Sequence, residues 1–356
     1  MSHLESVKSI LPEGSALLVT SAVNQRWLTN FDYTDGYVLV THGKSYLITD
    51  FRYIEAARAE ADKGFEIVMP DRSMLAEIEA HLKEEGITKV AVEDATLSLA
   101  DFETVKSRIE GVEFVSGGSK LTDELRRYKD AEEIEKIKKA QSITDAAFDH
   151  ILGYITPDRT EIDVALELEF FMRKNGADGI AFDTIAVSGS ASSMPHGVPR
   201  PVKLEKGFLT LDYGAKYKGY CSDMTRTVII GKADSEMKRL YSTVLEAQLA
   251  AISSLEAGER GRARLDTIAR DIIDNAGYKG CFGHSLGHGV GMYIHEAPGL
   301  SGKAPEDALL GVGDVITIEP GIYIEGKYGC RIEDMVTITE NGIYDFTKSP
   351  KNLIEL

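Results

Sequence analysis

The feature that most constrains the fold is a faint internal repeat in the last two thirds of the sequence. Each copy has the pattern helix, turn, helix, glycine and then strands, and the two copies stand 101 positions apart. Chance could give this match between two amphipathic helices, but each copy also supplies a pair of carboxylates. Two related half-sheets meeting about a pseudo-twofold axis would bring both pairs to a shared centre. The matching positions are Ile151 with Ile252, Arg159 with Arg260, and Gly176 with Gly277; the pairs are Asp212 with Asp223, and Glu319 with Glu333.

The first third of the chain follows a different pattern, in which strand-like and helix-like segments alternate. Residues 36–48 have the pattern of a hairpin that turns at His42-Gly43-Lys44. Such alternation predicts an α/β layer domain. Residues 120–125 have the character of a junction, and from 130 to 152 apolar residues recur close to the helical period. We therefore predict an α/β domain over residues 1–123 and an α+β domain with an internal pseudo-twofold duplication over residues 124–356.

Composition narrows the possible partners and the compartment. The 356 residues carry a net charge of −17, which disfavours nucleic acid and anionic membranes as partners. The cysteines Cys221, Cys281 and Cys330 are few and follow no spacing pattern, which fits a reducing compartment rather than a disulfide framework. We see no signal peptide and no apolar run of about 18 residues, so we expect a soluble, cytoplasmic protein.

The chemistry resides in five potential metal ligands in the last 145 or so residues. Four carboxylates and one imidazole suit two hard or borderline divalent cations that share bridging oxygens. Two such ions can hold a hydroxide and polarise a carbonyl, which is hydrolytic chemistry. The alternative is that the acidic residues are solvated turn or edge side chains. The five segments are Leu211-Asp212-Tyr213-Gly214-Ala215, Ser222-Asp223-Met224-Thr225-Arg226-Thr227, Gly287-His288-Gly289-Val290-Gly291, Ile318-Glu319-Pro320-Gly321 and Arg331-Ile332-Glu333-Asp334.

The strands that carry the carboxylates suggest how they meet. In a hairpin, Asp212 and Asp223 could face each other across the ladder, where two unpaired carboxylates would repel unless a dication lay between them. Glu319 closes an otherwise apolar strand and needs a partner, because unpaired buried charge is costly. Period-two alternation places Arg331 and Glu333 on one face of a strand, where a plain ion pair between them is the alternative to metal binding.

Histidines cluster beside this set. His284, His288 and His295 fall within twelve residues. The four-residue spacing of the first two is that of helical zinc proteases, but Ser285 replaces the glutamate of that motif, and four glycines between 283 and 291 disfavour a helix. We predict one ligand and two neighbours that handle protons or polarise a carbonyl. His196, in a proline-punctuated loop, could add a hydrogen-bond donor.

Taken together, these segments resemble the pita-bread metallopeptidases, which include methionine aminopeptidase, aminopeptidase P and Xaa-Pro dipeptidase. The resemblance covers essentially the whole chain, because the first domain looks like the creatinase/prolidase N-terminal domain. That domain favours the proline-directed branch of the M24 family over methionine aminopeptidase. The resemblance implies a cytoplasmic homodimer whose cofactors are two divalent ions, Mn(II) or Co(II), with Zn(II) possible. The loop 30–36 is a candidate to approach the partner's active site.

The resemblance also implies roles for individual residues. Asp212 would bind one metal ion in bidentate fashion, Asp223 and Glu333 would bridge both ions, and His288 and Glu319 would complete the second. Their bridging hydroxide would be the nucleophile. Glu319 would also pass a proton from the bridging water to the leaving amine.

Four further residues have implied roles around the substrate. His295 and His196 would hydrogen-bond the scissile and following carbonyls and stabilise the tetrahedral intermediate. His284 and Arg331 would shape the pocket and neutralise charge.

The function predicted from the sequence is hydrolysis of the bond between an N-terminal residue and proline, in peptides with a free amino terminus. Three alternatives remain at this point. The enzyme could be an aminopeptidase P acting on longer peptides rather than a strict dipeptidase. The fold could instead serve as a peptide- or protein-binding module. Creatine hydrolysis on a related fold needs no metal and gives no reason to retain all five ligands.

Overall fold

The computed structural model describes residues 2–356, which form two compact units, one ending at Arg126 and the other spanning Arg127–Leu356. The predicted boundary after residue 123 falls inside a helix, and the predicted junction at 120–125 is helical throughout. None of the helices formed by the described residues combines the length and the apolar character needed to cross a bilayer.

The first unit is a six-stranded mixed sheet with helices. Its helices are α1 (His3–Ile10), α2 (Ala22–Thr29), α3 (Ile54–Glu60), α4 (Met74–Glu84), α5 (Leu99–Arg108) and α6 (Gly118–Arg127). Its strands are β1 (Ser15–Val19), β2 (Gly36–Thr41), β3 (Ser45–Thr49), β4 (Glu66–Val68), β5 (Lys89–Val92) and β6 (Glu113–Val115), in the spatial order β4-β3-β2-β1-β5-β6.

The topology of this sheet confirms the predicted α/β character. The hairpin of β2 and β3 turns at residues 42–44, and β1 pairs in parallel with β5. Every residue of β1 and β3 is buried, so side chains on both faces of the sheet are covered. Helix α3 begins only at Ile54, because the Asp50 carboxylate accepts from the Arg52 backbone N–H at 2.9 Å and forms a turn first.

The second unit contains the duplicated fold. Its helices are α7 (Ala131–Tyr154), α8 (Glu161–Lys174), α9 (Ser235–Glu256) and α10 (Arg262–Ile273). Its strands are β7 (Gly179–Ile180), β8 (Ile185–Ser188), β9 (Gly207–Tyr213), β10 (Ala215–Tyr217), β11 (Tyr220–Cys221), β12 (Met224–Ile230), β13 (Gly287–Gly289), β14 (Glu296–Leu300), β15 (Val315–Ile318), β16 (Gly321–Ile324), β17 (Tyr328–Arg331), β18 (Asp334–Thr339) and β19 (Gly342–Asp345).

The duplication is visible in the order of the elements. In the first half, α7 and α8 lead into β8, β9 and β12, which pair in the order β12-β9-β8. In the second half, α9 and α10 lead into β13, β15 and β18, which pair as β13-β15-β18 within a five-stranded sheet. Gly176 and Gly277, which the sequence matched, follow the second helix of each half with φ of +100° and +93°. A left-handed residue at that point favours glycine, so the same chain reversal is built twice.

Each half has its own apolar core. Phe148 and Leu168 from the helices of the first half cluster with Leu209 of β9. In the second half, Val244 of α9 clusters with Ile316 of β15. Burying side chains of this size contributes roughly 1.5–3 kcal/mol each. Two cores therefore support the two half-sheets, and the second core also takes in side chains from the strands of the first half.

The half-sheets are joined where β12 runs beside the segment that precedes β18. The Glu333 N–H donates to the Thr225 carbonyl at 3.1 Å, and Arg226, which is 1% exposed, crosses the junction. Its guanidinium donates to the carbonyls of Thr225 and Glu333 at 3.0 and 2.6 Å and pairs with the Asp334 carboxylate at 2.8 Å. It also donates to the Ser349 carbonyl at 2.8 Å. One side chain thus ties the two carboxylate-bearing strands to the C-terminal segment.

We expect Arg226→Met to destabilise the metal-free protein by about 3–5 kcal/mol, because it leaves the buried Asp334 charge without its main partner. Urea unfolding followed by circular dichroism measures the change. Lys232→Met removes an exposed ion pair with Glu355 and serves as the matched control, with no measurable loss expected. A loss below about 1 kcal/mol for Arg226→Met would contradict the account of the junction.

Candidate metal centre and substrate pocket

All nine residues that the sequence singled out line one cavity of about 590 Å³ in the second unit. They come from strand ends of both halves, from the middle of one short strand and from three loops. The metal-ligand candidates are Asp212, Asp223, His288, Glu319 and Glu333, and the others are His196, His284, His295 and Arg331. The duplicated fold therefore converges on one site, while the role of each residue stays a proposal.

Strand termini position the acidic side chains. Asp212 is the next-to-last residue of β9, and Asp223 stands immediately before β12. In the other half, Glu319 immediately follows β15, and Glu333 stands immediately before β18. Equivalent hairpins thus present one carboxylate from the end of the first strand and one from the start of the second. His288 is the central residue of β13, a short extended strand, so the rejection of a helical zinc motif is confirmed.

One detail of the predicted geometry is wrong. Asp212 does not face Asp223 across the ladder, because the residue paired with Asp212 is Thr225. The chain leaves the β9–β12 ladder after Tyr213 to form β10 and β11, and a Cβ on Gly214 would lie 1.9 Å from the Ser222 carbonyl oxygen. Glycine permits this close approach because it has no Cβ. Asp223 therefore lies diagonally across from Asp212, at the end of the ladder.

Burial and mutual repulsion shape the charge state of the carboxylates. Burial, reinforced by the Glu333 charge, raises the pKa of Asp223 well above its ordinary value. Burial and the charge of Glu319 do the same to the pKa of Glu333. Burial raises the pKa of Glu319 to about 8, against the lowering effect of the Arg331 charge. Without a cation the site holds protons that a divalent ion would displace.

His288 points its bare ring nitrogen at these carboxylates. Its Nδ1 lies 3.1 Å from the Gly289 carbonyl, which can only accept, so Nδ1 carries the proton. Burial lowers the pKa of His288 to about 4, so the ring is neutral. Its Nε2 lone pair then faces carboxylate oxygens of Asp223 and Glu319 at 3.6 and 3.4 Å. An unprotonated ring nitrogen directed at carboxylate oxygens is the arrangement that a metal ion satisfies.

Asp212 provides a second sign that the site suits a cation. Its Oδ2 accepts from Arg331 at 2.5 Å, whereas its Oδ1 is buried and finds no hydrogen-bond partner among the described residues. An orphaned buried carboxylate oxygen is costly unless something binds it. In addition, Asp223, His288 and Glu333 offer ligand atoms that lie within 4.8 Å of one another. The donor set of oxygens with one imidazole nitrogen therefore fits divalent cations.

Arg331 does not form the ion pair with Glu333 that the sequence analysis left as the alternative to metal binding. The guanidinium pairs with Asp212 instead, and its Nε donates to Thr225 Oγ1 at 2.9 Å. Thr225 Oγ1 in turn donates to Glu333 at 2.7 Å. Arg331 ends β17 while Glu333 lies in the link to β18, so the two side chains do not share one strand face.

Tyr323, which contacts two of the cavity-lining residues, is a neighbour of the site that the sequence reasoning missed. Its hydroxyl accepts from Arg331 at 2.6 Å and lies 3.0 Å from His284 Nε2. His284 Nδ1 donates to the Ser285 carbonyl at 2.9 Å, so Nε2 accepts from the tyrosine. Burial lowers the pKa of His284 to about 4, and the ring is neutral. A tyrosine in an apolar strand carries no signal that would have identified this contact from the sequence.

The remaining histidines lie at the rim. His196 and His295 are both exposed, and the His295 ring lies 4.4 Å from the His288 ring, edge to face. The cavity lining also includes a set of apolar residues, the apolar wall, that the sequence analysis did not anticipate. Its members are Phe182, Ile185, Pro195, Val198, Pro199 and Ile294. The cavity therefore joins a cation-binding end to a surface suited to an apolar group.

Known proteins resemble this chain in sequence and in fold. The model for metallopeptidase family M24 matches residues 135–340, and the model for the creatinase/prolidase N-terminal domain matches residues 13–128. The chain belongs to metallopeptidase family M24. A solved structure of an Xaa-Pro dipeptidase from Bacillus anthracis matches with a TM-score of 0.93 at 44% identity, covering 99% of each chain.

Of two further relatives, one is named an aminopeptidase and the other a dipeptidase. The crystal structure of an X-Pro aminopeptidase from Thermotoga maritima matches with a TM-score of 0.90 at 36% identity, covering 96% of this chain and 97% of that one. An Xaa-Pro dipeptidase from Pyrococcus horikoshii is 38% identical over 320 residues, which are 90% of this chain and 88% of the relative. The predicted family, fold class and enzyme class, a metallo-exopeptidase, are confirmed.

We expect Glu333→Gln to distinguish two effects of the acidic site: its effect on the stability of the metal-free protein and its binding of metal. In chelator-treated protein at pH 8, the variant should be at least as stable as the wild type, since it removes one repelling charge while Thr225 keeps an acceptor. The folded-state pKa values of Asp223, Glu319 and Glu333 lie above their ordinary values, so protonation of these groups stabilises the fold at low pH. That contribution is lost as the pH rises from about 4.5 to about 8 for Glu319.

Thermal unfolding with and without Mn(II) measures both effects. The wild type should gain about 2.7 kcal/mol at a metal concentration of 100 times Kd, and Glu333→Gln should gain much less. Glu325→Gln, an exposed carboxylate outside the cavity, should respond to Mn(II) like the wild type. A Glu333→Gln protein that is less stable without metal yet keeps the full Mn(II) response would refute the assignment.

Proposed function

We propose that this metallopeptidase hydrolyses the bond between an N-terminal residue and a following proline. The observation that carries the proposal is a cavity whose lining combines the carboxylate set with apolar side chains. The similarity to proteins named Xaa-Pro dipeptidase and X-Pro aminopeptidase supports this substrate class. An Xaa-Pro bond has no N–H and a restricted φ, so a shaped apolar surface beside the reacting centre suits it.

We propose that two divalent ions bind at the acidic end of the cavity, Mn(II) or Co(II) before Zn(II). Asp212, Asp223, His288, Glu319 and Glu333 would hold them. When bound, such ions supply a nucleophilic hydroxide at neutral pH and polarise the scissile carbonyl. The orphaned Asp212 Oδ1 and the bare Nε2 of His288 support this set.

Glu319 would act as the proton carrier. Its carboxylate lies at the partly open side of the acidic cluster, with the side chain 16% exposed, and accepts from Thr317 Oγ1 at 3.1 Å through one oxygen. The carboxylate would accept the proton of the attacking water and deliver it to the leaving proline nitrogen. The nitrogen of an Xaa-Pro amide carries no hydrogen, so this delivered proton completes the free imino group.

The rim histidines and the arginine network would handle the substrate. His295 and His196 would donate to the scissile and following carbonyls, where negative charge develops. His284, whose pKa is lowered by burial and whose ring is oriented by Tyr323, would contact the substrate beside Arg331. Because the Arg331 charge is already shared with Asp212, its main effect would be to fix that ligand and to moderate the acidity of the pocket. The homodimer and the cytoplasmic location stay predictions.

The substrate length is open between two activities, because the relatives are named in both ways. We expect chelator-stripped protein to cleave Ala-Pro and Met-Pro only after Mn(II) or Co(II) is added, since the nucleophile depends on the metal. Release of proline, measured by chromatography, reports the reaction. Ala-Pro-Ala separates the activities: cleavage of the dipeptides alone identifies a dipeptidase, and cleavage of the tripeptide identifies an aminopeptidase P.

Two controls make this assay decisive. Ala-Ala tests whether proline is required, and Asp223→Ala tests whether turnover depends on the acidic centre. Retained turnover in Asp223→Ala would contradict the two-metal site. Metal-loaded protein that cleaves none of the proline peptides would overturn the proposed substrate and favour a binding module on the same fold.

A further inference from the structure

A buried ion pair in the second unit has no place in the chemistry described so far. Lys129 Nζ lies 3.1 Å from Glu296 Oε2, and the two side chains are 1% and 4% exposed. A buried pair loses so much hydration that it is a poor source of net stability, and apolar residues often replace it without loss. The pair is therefore better explained by the segments that it holds in place than by a gain in stability.

Glu296 is the centre of a tight turn. Its Oε1 accepts from the Tyr293 N–H at 3.0 Å, while its Oε2 meets the lysine. A Cβ on Gly291 would lie 2.5 Å from Oε2, so the carboxylate packs directly on that glycine. The Gly291 N–H donates to the Tyr293 carbonyl at 3.0 Å. Residues 291–296 thus wrap around one carboxylate.

The same turn presents two residues to the substrate cavity. Ile294 belongs to the apolar wall and His295 to the rim, and both precede Glu296 directly. The turn also docks on the segment that leads to Asp223, because the Cys221 N–H donates to the Gly291 carbonyl at 2.8 Å. A shift of the turn would therefore move His295 relative to the metal ligands.

Lys129 is a fixed point from which the turn can be held. Its backbone N–H donates to the Gly313 carbonyl at 2.9 Å, and its Nζ also donates to the Arg127 carbonyl at 3.2 Å. Arg127 in turn pairs at 2.7 Å with Asp314, the residue that precedes β15. Lys129 is therefore anchored next to β15, the strand that Glu319 follows.

We propose that Lys129 and Glu296 are positioning residues that set the His295 imidazole, and with it Ile294, in the substrate cavity. The inference rests on the proposed function in one respect, the role of His295 toward the substrate carbonyl. It explains why a charged pair is kept in a dry interior: two charge-assisted contacts fix the direction of a carboxylate more tightly than apolar packing would. The turn that this carboxylate organises then has one arrangement.

The test is a set of double-mutant cycles with His295→Ala. Lys129→Met and Glu296→Gln should each lower kcat/KM for the best Xaa-Pro substrate by about 10- to 100-fold, the cost of a small misplacement of a reacting group. In the His295→Ala background the same changes should cost less than about twofold, because residues that act through one group are not additive. Mn(II) stoichiometry by calorimetry should be unchanged in all of them. Additive losses would overturn the inference.

Two further measurements separate positioning from loss of folding and from failure of the proposed substrate. The neutral double variant Lys129→Met/Glu296→Gln avoids an unpaired buried charge and should fold while keeping the lowered kcat/KM. Amide hydrogen exchange in residues 291–296 should quicken about tenfold or more in Lys129→Met. It should not change in Lys138→Met, which removes a more exposed pair with Glu135. If the wild type cleaves no proline peptide, the proposed function fails, and unchanged exchange would by itself overturn the positioning role.

Discussion

The structure depends on bringing four carboxylates together in a buried place where their charges repel. Of the four, Asp212 has an arginine partner, and burial raises the pKa values of Asp223, Glu319 and Glu333. A chain would not gather these groups for stability. The gathering is explained by divalent cations, whose charge converts repelling ligands into a bound centre, and the neutral imidazole of His288 completes a donor set suited to them.

The fold makes such a concentration possible by distributing its cost over two halves. Each half-sheet has its own apolar core and delivers two carboxylates at equivalent strand ends. Arg226 then ties the halves together close to the residues that carry the second carboxylate of each half. The acidic centre is therefore a property of the junction, and neither half contains it alone.

Much of this arrangement could be predicted from the sequence, because it is encoded in periodicity and order. The duplication, the hairpin of the first unit and the convergence of both carboxylate pairs with His288 follow from repeats, turns and strand ends. The predicted pairing of Asp212 with Asp223 was wrong, because the chain forms β10 and β11 between the two strands and Asp212 pairs with Thr225 instead. No sequence pattern indicates this change of register. Tyr323, the apolar wall and the Lys129–Glu296 pair were missed because distant segments create them, and their residue types are ordinary core or surface residues in the sequence.

Anomalous diffraction at the manganese edge from crystals of the Mn(II)-loaded protein would locate the bound cations. Two anomalous peaks are expected among Asp212, Asp223, His288, Glu319 and Glu333, with His196 and His295 outside the coordination sphere. A single peak, or peaks elsewhere with these five side chains uncoordinated, would contradict the claim that repulsion among the carboxylates is resolved by two shared cations.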